Sequence, residues 1–178
     1  MKGWNILATA QHRQERYLFR FLSNLGEFRH SGYRDVILGH VADVHAFLDA
    51  LEAIRRETPG KLRSLGQIVP IERNFQFEVA DFMDKAKEAV SPFINQLENT
   101  RFFVRVVRRG HKGEISSLEA EKELDAYILK SLERDRKQAT VNIEEFDKMV
   151  IIETVENLAG AGLITREMKG KYSFIKIK

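Results

Sequence analysis

Arg101-Phe-Phe-Val-Arg-Val-Val-Arg-Arg-Gly-His-Lys-Gly113 alternates apolar and basic residues before it breaks on glycine. As a strand it would place Phe102, Val104 and Val106 on one face, and Arg101, Arg105 and Arg109 on the other beside Phe103 and Val107. The stretch holds five Lys or Arg and no acid. Gly110 and Gly113 mark a loop, and Ser116 with Glu119 three residues later has the capping-box pattern that opens a helix. A strand passing through a loop into a helix is the unit from which α/β layers are built. It also gathers cationic side chains and free backbone N–H groups at one strand end, a setting that suits an anion such as phosphate. The same residues also fit an amphipathic edge strand whose Arg-bearing face is merely solvated.

Downstream, the pattern predicts a helix from about Ser117 to Glu133. Strands follow near Ala139–Ile143, Met149–Glu156, Gly162–Glu167 and Tyr172–Lys176. Upstream, residues 77–90 form a helix with Val79, Phe82, Met83, Ala86 and Val90 inward, and Ser91-Pro92 starts a second short helix ending at Glu98. The first seventy residues have a different order. Asn5–Ala10 reads as a strand. Residues 12–25 read as a helix with Tyr17, Leu18, Phe21, Leu22 and Leu25 on one face and Arg13, Arg16 and Arg20 on another. Strands at Glu27–His30 and Arg34–Val41 flank the Ser31-Gly32 turn. Asp43 caps a helix that Thr58-Pro59-Gly60 ends, and a strand lies near Leu65–Glu72. Strand–helix–strand–strand–helix–strand is the split βαβ, ferredoxin-like order. The expected class is α/β (α+β), with a ferredoxin-like βαββαβ domain at 1–75 and a second α/β domain at 76–178.

At 178 residues the chain can bury one large core or two small ones. It has no cysteine, which removes disulfides, thiol catalysis and cysteine-ligated metal sites. No apolar run approaches the ~18 residues of a membrane span. The N-terminus shows no signal region, so a cytoplasmic protein is expected. The net charge of +3 is sorted along the chain. Residues 114–125 and 144–156 each hold five acids against one Lys, and residues 166–178 hold five Lys or Arg against one acid. The two basic segments therefore predict one positive surface, formed by Arg101, Arg105, Arg108, Arg109, His111, Lys112, Arg166, Lys169 and Lys171. Glu119, Glu121 and Glu123 also suit the first turns of a helix, where the dipole favours anions.

Catalytic signatures are sparse. The sequence holds no G-x-G-x-x-G and no P-loop, and Gly160-Ala-Gly162 falls in a strand region, where it reads as a bulge or hairpin. His40, Asp43 and His45 could hint at a metal, but no fourth ligand accompanies them, and surface or capping roles fit better. Glu153 and Glu156 have no partner set that suggests catalysis. The expectation is a binding protein that is not an enzyme and needs no cofactor or metal.

The order of elements, together with Ile68-Val-Pro-Ile71, Phe103-Val-Arg-Val-Val-Arg-Arg109 and Met149-Val-Ile-Ile-Glu-Thr-Val-Glu-Asn-Leu-Ala-Gly-Ala-Gly-Leu-Ile-Thr-Arg166, resembles the THUMP-domain proteins with their N-terminal ferredoxin-like domain. It is most similar to the stand-alone branch, the adaptor that presents tRNA to a cytidine acetyltransferase. The resemblance covers nearly the whole chain and rests on the order of the motifs rather than on any one of them. It departs at Glu144-Glu-Phe-Asp147, where the family has a proline-bearing turn. The resemblance implies binding of tRNA at its acceptor stem and 3′ end, with chemistry supplied by a separate modifying enzyme. On this view no catalytic domain follows the second domain. The rival expectation is a protein–protein module in which the basic patch is incidental.

Overall fold

The computed structural model describes residues 3–176; Met1, Lys2, Ile177 and the basic Lys178 lie outside the described residues. Contacts divide the chain into a first unit of residues 1–71 and 167–178 and a second of residues 72–166.

The first unit contains β1 (Ile6–Ala10), α1 (Glu15–Leu22), β2 (Glu27–His30), β3 (Val36–His40), α2 (Val44–Glu57) and β4 (Leu65–Pro70). Its antiparallel sheet has the order β2-β3-β1-β4, the split βαβ topology read from the sequence. Asp43 starts α2 by accepting a hydrogen bond from Ala46 N–H at 2.9 Å, and is thereby engaged as a helix cap. Phe28 on β2 lays its ring over Gly39, its cross-strand partner on β3, and leaves no room for a Cβ there. Helix α1 is shorter than its apolar pattern suggests, because Arg13 takes a positive φ just ahead of it. Its inward face is also narrower: Leu18 and Leu22 are buried, whereas Tyr17 is 63% exposed.

The second unit contains β5 (Arg73–Gln76), α3 (Phe82–Val90), β6 (Arg101–Val107), α4 (Ser117–Arg134), β7 (Thr140–Val141), β8 (Lys148–Val155) and β9 (Leu158–Thr165). A 3-10 turn at Val79–Asp81 precedes α3, and a second 3-10 segment at Ser91–Leu97 follows it. The sheet order is β5-β9-β8-β6-β7, with β6 parallel to both of its neighbours and the other pairs antiparallel. Residues Phe102, Val104 and Val106 enter one core with Leu124 and Ile128 of α4, on the face that the alternation predicts. Phe103, on the other face, meets Phe146 edge-on at 5.0 Å between ring centroids. The glycines of Gly160-Ala-Gly162 pair in regular register within β9 and form no bulge. Strand β5 escapes the sequence reading because it is short and polar apart from Phe75.

The tail differs from expectation. Residues Arg166–Lys171 form a short helix, α5, and no strand covers Tyr172–Lys176. The tail also belongs with the first unit, whereas the sequence reading put 76–178 in one domain. The Tyr172 hydroxyl hydrogen-bonds Asp49 at 2.5 Å, and Ile68 N–H on β4 donates to Phe174 O at 2.9 Å. Tyr172, Phe174 and Ile175 are buried.

Phe102 is fully buried in the core that joins β6 to α4. Truncating Phe102→Ala should cost about 3–5 kcal/mol in chemical denaturation of the intact chain. A loss below about 1 kcal/mol would mean that this core does not hold the second unit together.

Candidate nucleic-acid interface

Strand β6 has only a short neighbour on its outer side, since β7 pairs with Arg101 and Phe102 alone. Beyond that point helix α4 supplies the acceptors. Val104 N–H donates to Asp125 Oδ1 and Val106 N–H to Glu121 Oε1, both at 2.9 Å. Four helical residues rise about 6 Å and two strand residues about 6.6 Å, so two carboxylates four apart on the helix match alternate amides of the strand. Burial pushes the Asp125 carboxyl up to about 6, while its bond from the Val104 amide opposes the shift.

The basic face of β6 is largely neutralised. Arg101 makes a forked contact with Asp147, at 2.9 and 3.2 Å, and reaches Glu145 at 3.0 Å. The Arg101 side chain and its backbone N–H together hold the Asp147 carboxyl down at about 2. Arg105 lies 3.4 Å from Glu121 and over the ring of Phe103. Arg109 pairs with Glu153, whose carboxylate is fully buried. Burial pushes the Glu153 carboxyl up and Arg109 opposes it. The second Glu153 oxygen, Oε1, is buried without a hydrogen-bond partner among the described residues. The pair also fixes the strand end, where Arg109 N–H donates to Thr154 Oγ1 at 3.0 Å.

The loop after β6 presents what remains. Gly110, His111 and Gly113 all take positive φ. His111 faces an acceptor at each ring nitrogen: Asn157 Oδ1 at 2.8 Å from Nε2 and Glu114 at 3.2 Å from Nδ1. The Asn157 bond, and then Glu114, favour its imidazolium form and raise its pKa. The Arg108 guanidinium donates to Gly110 O and has no carboxylate partner among the described residues; the same holds for the exposed Lys112.

Register places Arg166 at the start of the first basic segment and away from its loop. Strand β6 pairs in parallel from Phe102–Lys148 to Val107–Glu153, while Lys148 pairs with Thr165 at the end of β9. Arg166 follows directly, donating from Nε to Phe146 O at 2.8 Å. It therefore sits at the Arg101 end of β6, about 20 Å of strand from the Arg108–Lys112 loop. Arg166 thus joins Arg101 beside Asp147, while the Arg108–Lys112 loop lies at the far end of the strand. Lys169 and Lys171 belong to the first unit, where Lys171 pairs with Asp49 at 2.9 Å.

The start of α4 is also less inviting to an anion than its sequence suggests. Ser116 Oγ caps it by accepting from Glu119 N–H at 3.3 Å, and the depression beside it is lined by Glu114, Glu119 and Glu123. The proline-free turn before β8 is held by side chains instead. Asn142 Oδ1 accepts from the backbone N–H groups of Glu144 and Glu145, Phe146 is buried, and Asp147 locks onto Arg101. Among the described residues, no group of three or more His, Cys, Asp or Glu is placed to hold a metal ion. No helix among them is long and apolar enough to cross a membrane.

No protein-family model matches the sequence, and neither does any curated protein. Solved structures do. The chain is similar to PH1313 from Pyrococcus horikoshii Ot3, with TM-score 0.63 and 14% identity over 92% of this chain and 55% of that one. A 4-thiouridine synthetase, solved as an RNA complex with bound ATP, matches at TM-score 0.56 and 13% identity over 92% of this chain and 42% of the synthetase. The fold is THUMP-like. TrmN from Thermus thermophilus adds a further likeness, with TM-score 0.63 and 14% identity over 90% of this chain and 45% of that one. The THUMP-like chain thus spans between about two-fifths and a little over half of these neighbours' lengths.

Two measurements check this geometry. Arg109→Ala strands the buried Glu153 and should cost about 3–5 kcal/mol, whereas Arg108→Ala should change stability by less than about 0.5 kcal/mol in the same denaturation assay. The raised Asp125 pKa means that the folded state binds its proton more tightly than the unfolded chain. The stability it contributes is present below the ordinary carboxylate pKa of 3.8 and is lost as pH rises to about 6. Asp125→Asn, which keeps an oxygen for the Val104 amide, should therefore gain stability relative to the parent across that window. Parallel stability profiles for the two proteins would show that the Asp125 site is not desolvated.

Proposed function

We propose that this chain binds RNA, with tRNA as its ligand, and acts as an adaptor that presents it to a separate modifying enzyme. The observation that carries the reading is the loop after β6. Lys112, exposed, and Arg108, held on Gly110 O, have no carboxylate partner among the described residues, while every neighbouring cation is paired with an acid. Such a loop offers phosphate contacts on a rigid base, because the Arg109–Glu153 pair and the His111 bonds fix its two sides. Support comes also from the neighbours, one of which is a synthetase solved with RNA. A putative methyltransferase is another neighbour, with TM-score 0.53 and 16% identity over 93% of this chain and 42% of that one. On the adaptor reading this chain contributes binding and its partner contributes the chemistry.

In this reading the site is smaller than the nine residues that the sequence suggests. Arg108 and Lys112 are its phosphate contacts, and His111, bonded through both ring nitrogens, braces the loop beneath them. Arg101, Arg105 and Arg109 shape the strand that carries them. A specific observation favours the rival reading as a protein–protein module: three arginines of the basic strand are already neutralised internally.

Titration with bulk tRNA at several salt concentrations decides between them. The double variant Arg108→Ala/Lys112→Ala should fold normally and bind tRNA more weakly, and its log–log salt slope should shrink by roughly 0.7–0.9 for each lost phosphate contact. An unchanged slope and affinity would remove the loop from the interface. Failure of the parent chain to bind tRNA at all would leave the protein–protein module standing. Purified parent chain incubated with tRNA alone should leave the nucleosides unmodified, as read by mass spectrometry of the digested RNA.

A further inference from the structure

Among the described residues Tyr17 is the most exposed large hydrophobic side chain, at 63%, although its place in the α1 pattern suggests a core residue. A single exposed aromatic needs no explanation. This one lines a shallow groove of about 530 Å³ in the first unit, together with Phe21 of α1, Gln14 just ahead of that helix, and Lys61, Arg63 and Ser64 of the segment between α2 and β4. Backbone and side chain of Gln11 hold that segment against the approach to α1, donating to Ser64 O at 2.8 Å and to Leu65 O at 3.3 Å.

The charge around the groove is uncompensated. Arg16, Arg20, Lys61 and Arg63 are exposed, and none has a carboxylate partner among the described residues. The one acid of α1, Glu15, is turned away: Oε1 meets His30 Nδ1 at 2.6 Å and Oε2 accepts from Asp35 N–H at 2.8 Å. The contrast with β6 is sharp, since there the arginines are matched by acids. Two aromatic rings four residues apart on one helix, flanked by unpaired cations, make a stacking platform with an electrostatic rim.

We infer that this groove is a second nucleic-acid site, which takes a short unpaired RNA segment by stacking a base on Tyr17 and holding the adjoining phosphates with Lys61 and Arg63. The inference rests on the reading of the chain as an RNA-binding protein, and it assigns the unpaired part of the ligand to the first unit. An acidic peptide would use the cations but would have no need of an exposed ring, which is why a single-stranded nucleic acid fits better.

The test uses the intact chain and a short, fluorescently labelled single-stranded RNA, with a duplex of equal length as the control. Tyr17→Ala should weaken binding of the single strand about tenfold and leave duplex binding unchanged, whereas Tyr17→Phe should bind as the parent does. Lys61→Ala/Arg63→Ala should weaken binding and flatten its salt dependence. Circular dichroism confirms the fold of each variant. Unchanged affinity of Tyr17→Ala for the single strand overturns the inference, as does equal loss on the duplex. Displacement of the RNA by a poly-glutamate peptide that itself depends on Tyr17 would assign the groove to an acidic protein partner and also overturn it. Repeating the series in the Arg108→Ala/Lys112→Ala background separates the two claims. If only the Tyr17 variants are silent, this site fails alone; if the loop variant is silent too, the RNA-binding reading fails with it.

Discussion

Satisfying the outer edge of β6 is the constraint around which the second unit is arranged. A strand buried on its faces cannot leave amides bare, and β7 is too short to cover them. Glu121 and Asp125 do so from α4, and that choice has consequences. It fixes the helix antiparallel to the strand and in register with it. It places Glu121 beside Arg105, so that a carboxylate already accepting from the backbone also meets a guanidinium. It leaves Asp125 partly desolvated and reluctant to ionise. Helix propensity alone would not ask for acids at these positions; the strand edge does.

The other end of β6 solves a related problem differently. Glu153 is buried on β8, where an isolated carboxylate would be costly, and Arg109 supplies the counter-charge. The pair ties the loop after β6 to the β8–β9 hairpin, which reaches back through Asn157 to His111. A loop braced in this way holds Arg108 on Gly110 O and leaves Lys112 exposed, so any ligand it meets would find it already ordered.

Much of the frame was legible in the residues. The alternation from Phe102 to Val106 has one purely apolar face, so its burial followed from period alone, and the turn and cap chemistry at Asp43, Ser116 and Ser31-Gly32 marked element ends. The charges were harder. In sequence Arg101, Arg105 and Arg109 look like a solvated or ligand-facing row, because their partners lie 46, 16 and 44 residues away. Local periodicity carries no information about such pairings. The acidic blocks, which in sequence read as the surroundings of the basic strand, supply the partners that cancel it. Tyr17 misled in the opposite sense: helical spacing placed it with Leu18 and Leu22, but an apolar stripe two residues wide was enough to bury α1. The polar strand β5 left no periodic trace at all.

Because residues after 166 return to the first unit, the second is an insertion within it. This bears on the order of folding during synthesis. Domains generally fold in the order in which they leave the ribosome. Here the chain from 72 to 166 can emerge and close its own sheet while the first unit still lacks Tyr172, Phe174 and Ile175. The N-terminal sheet would wait, its β4 edge uncovered at the Ile68 amide, until the last strip of its packing is made. The unit that begins first is the unit that finishes last.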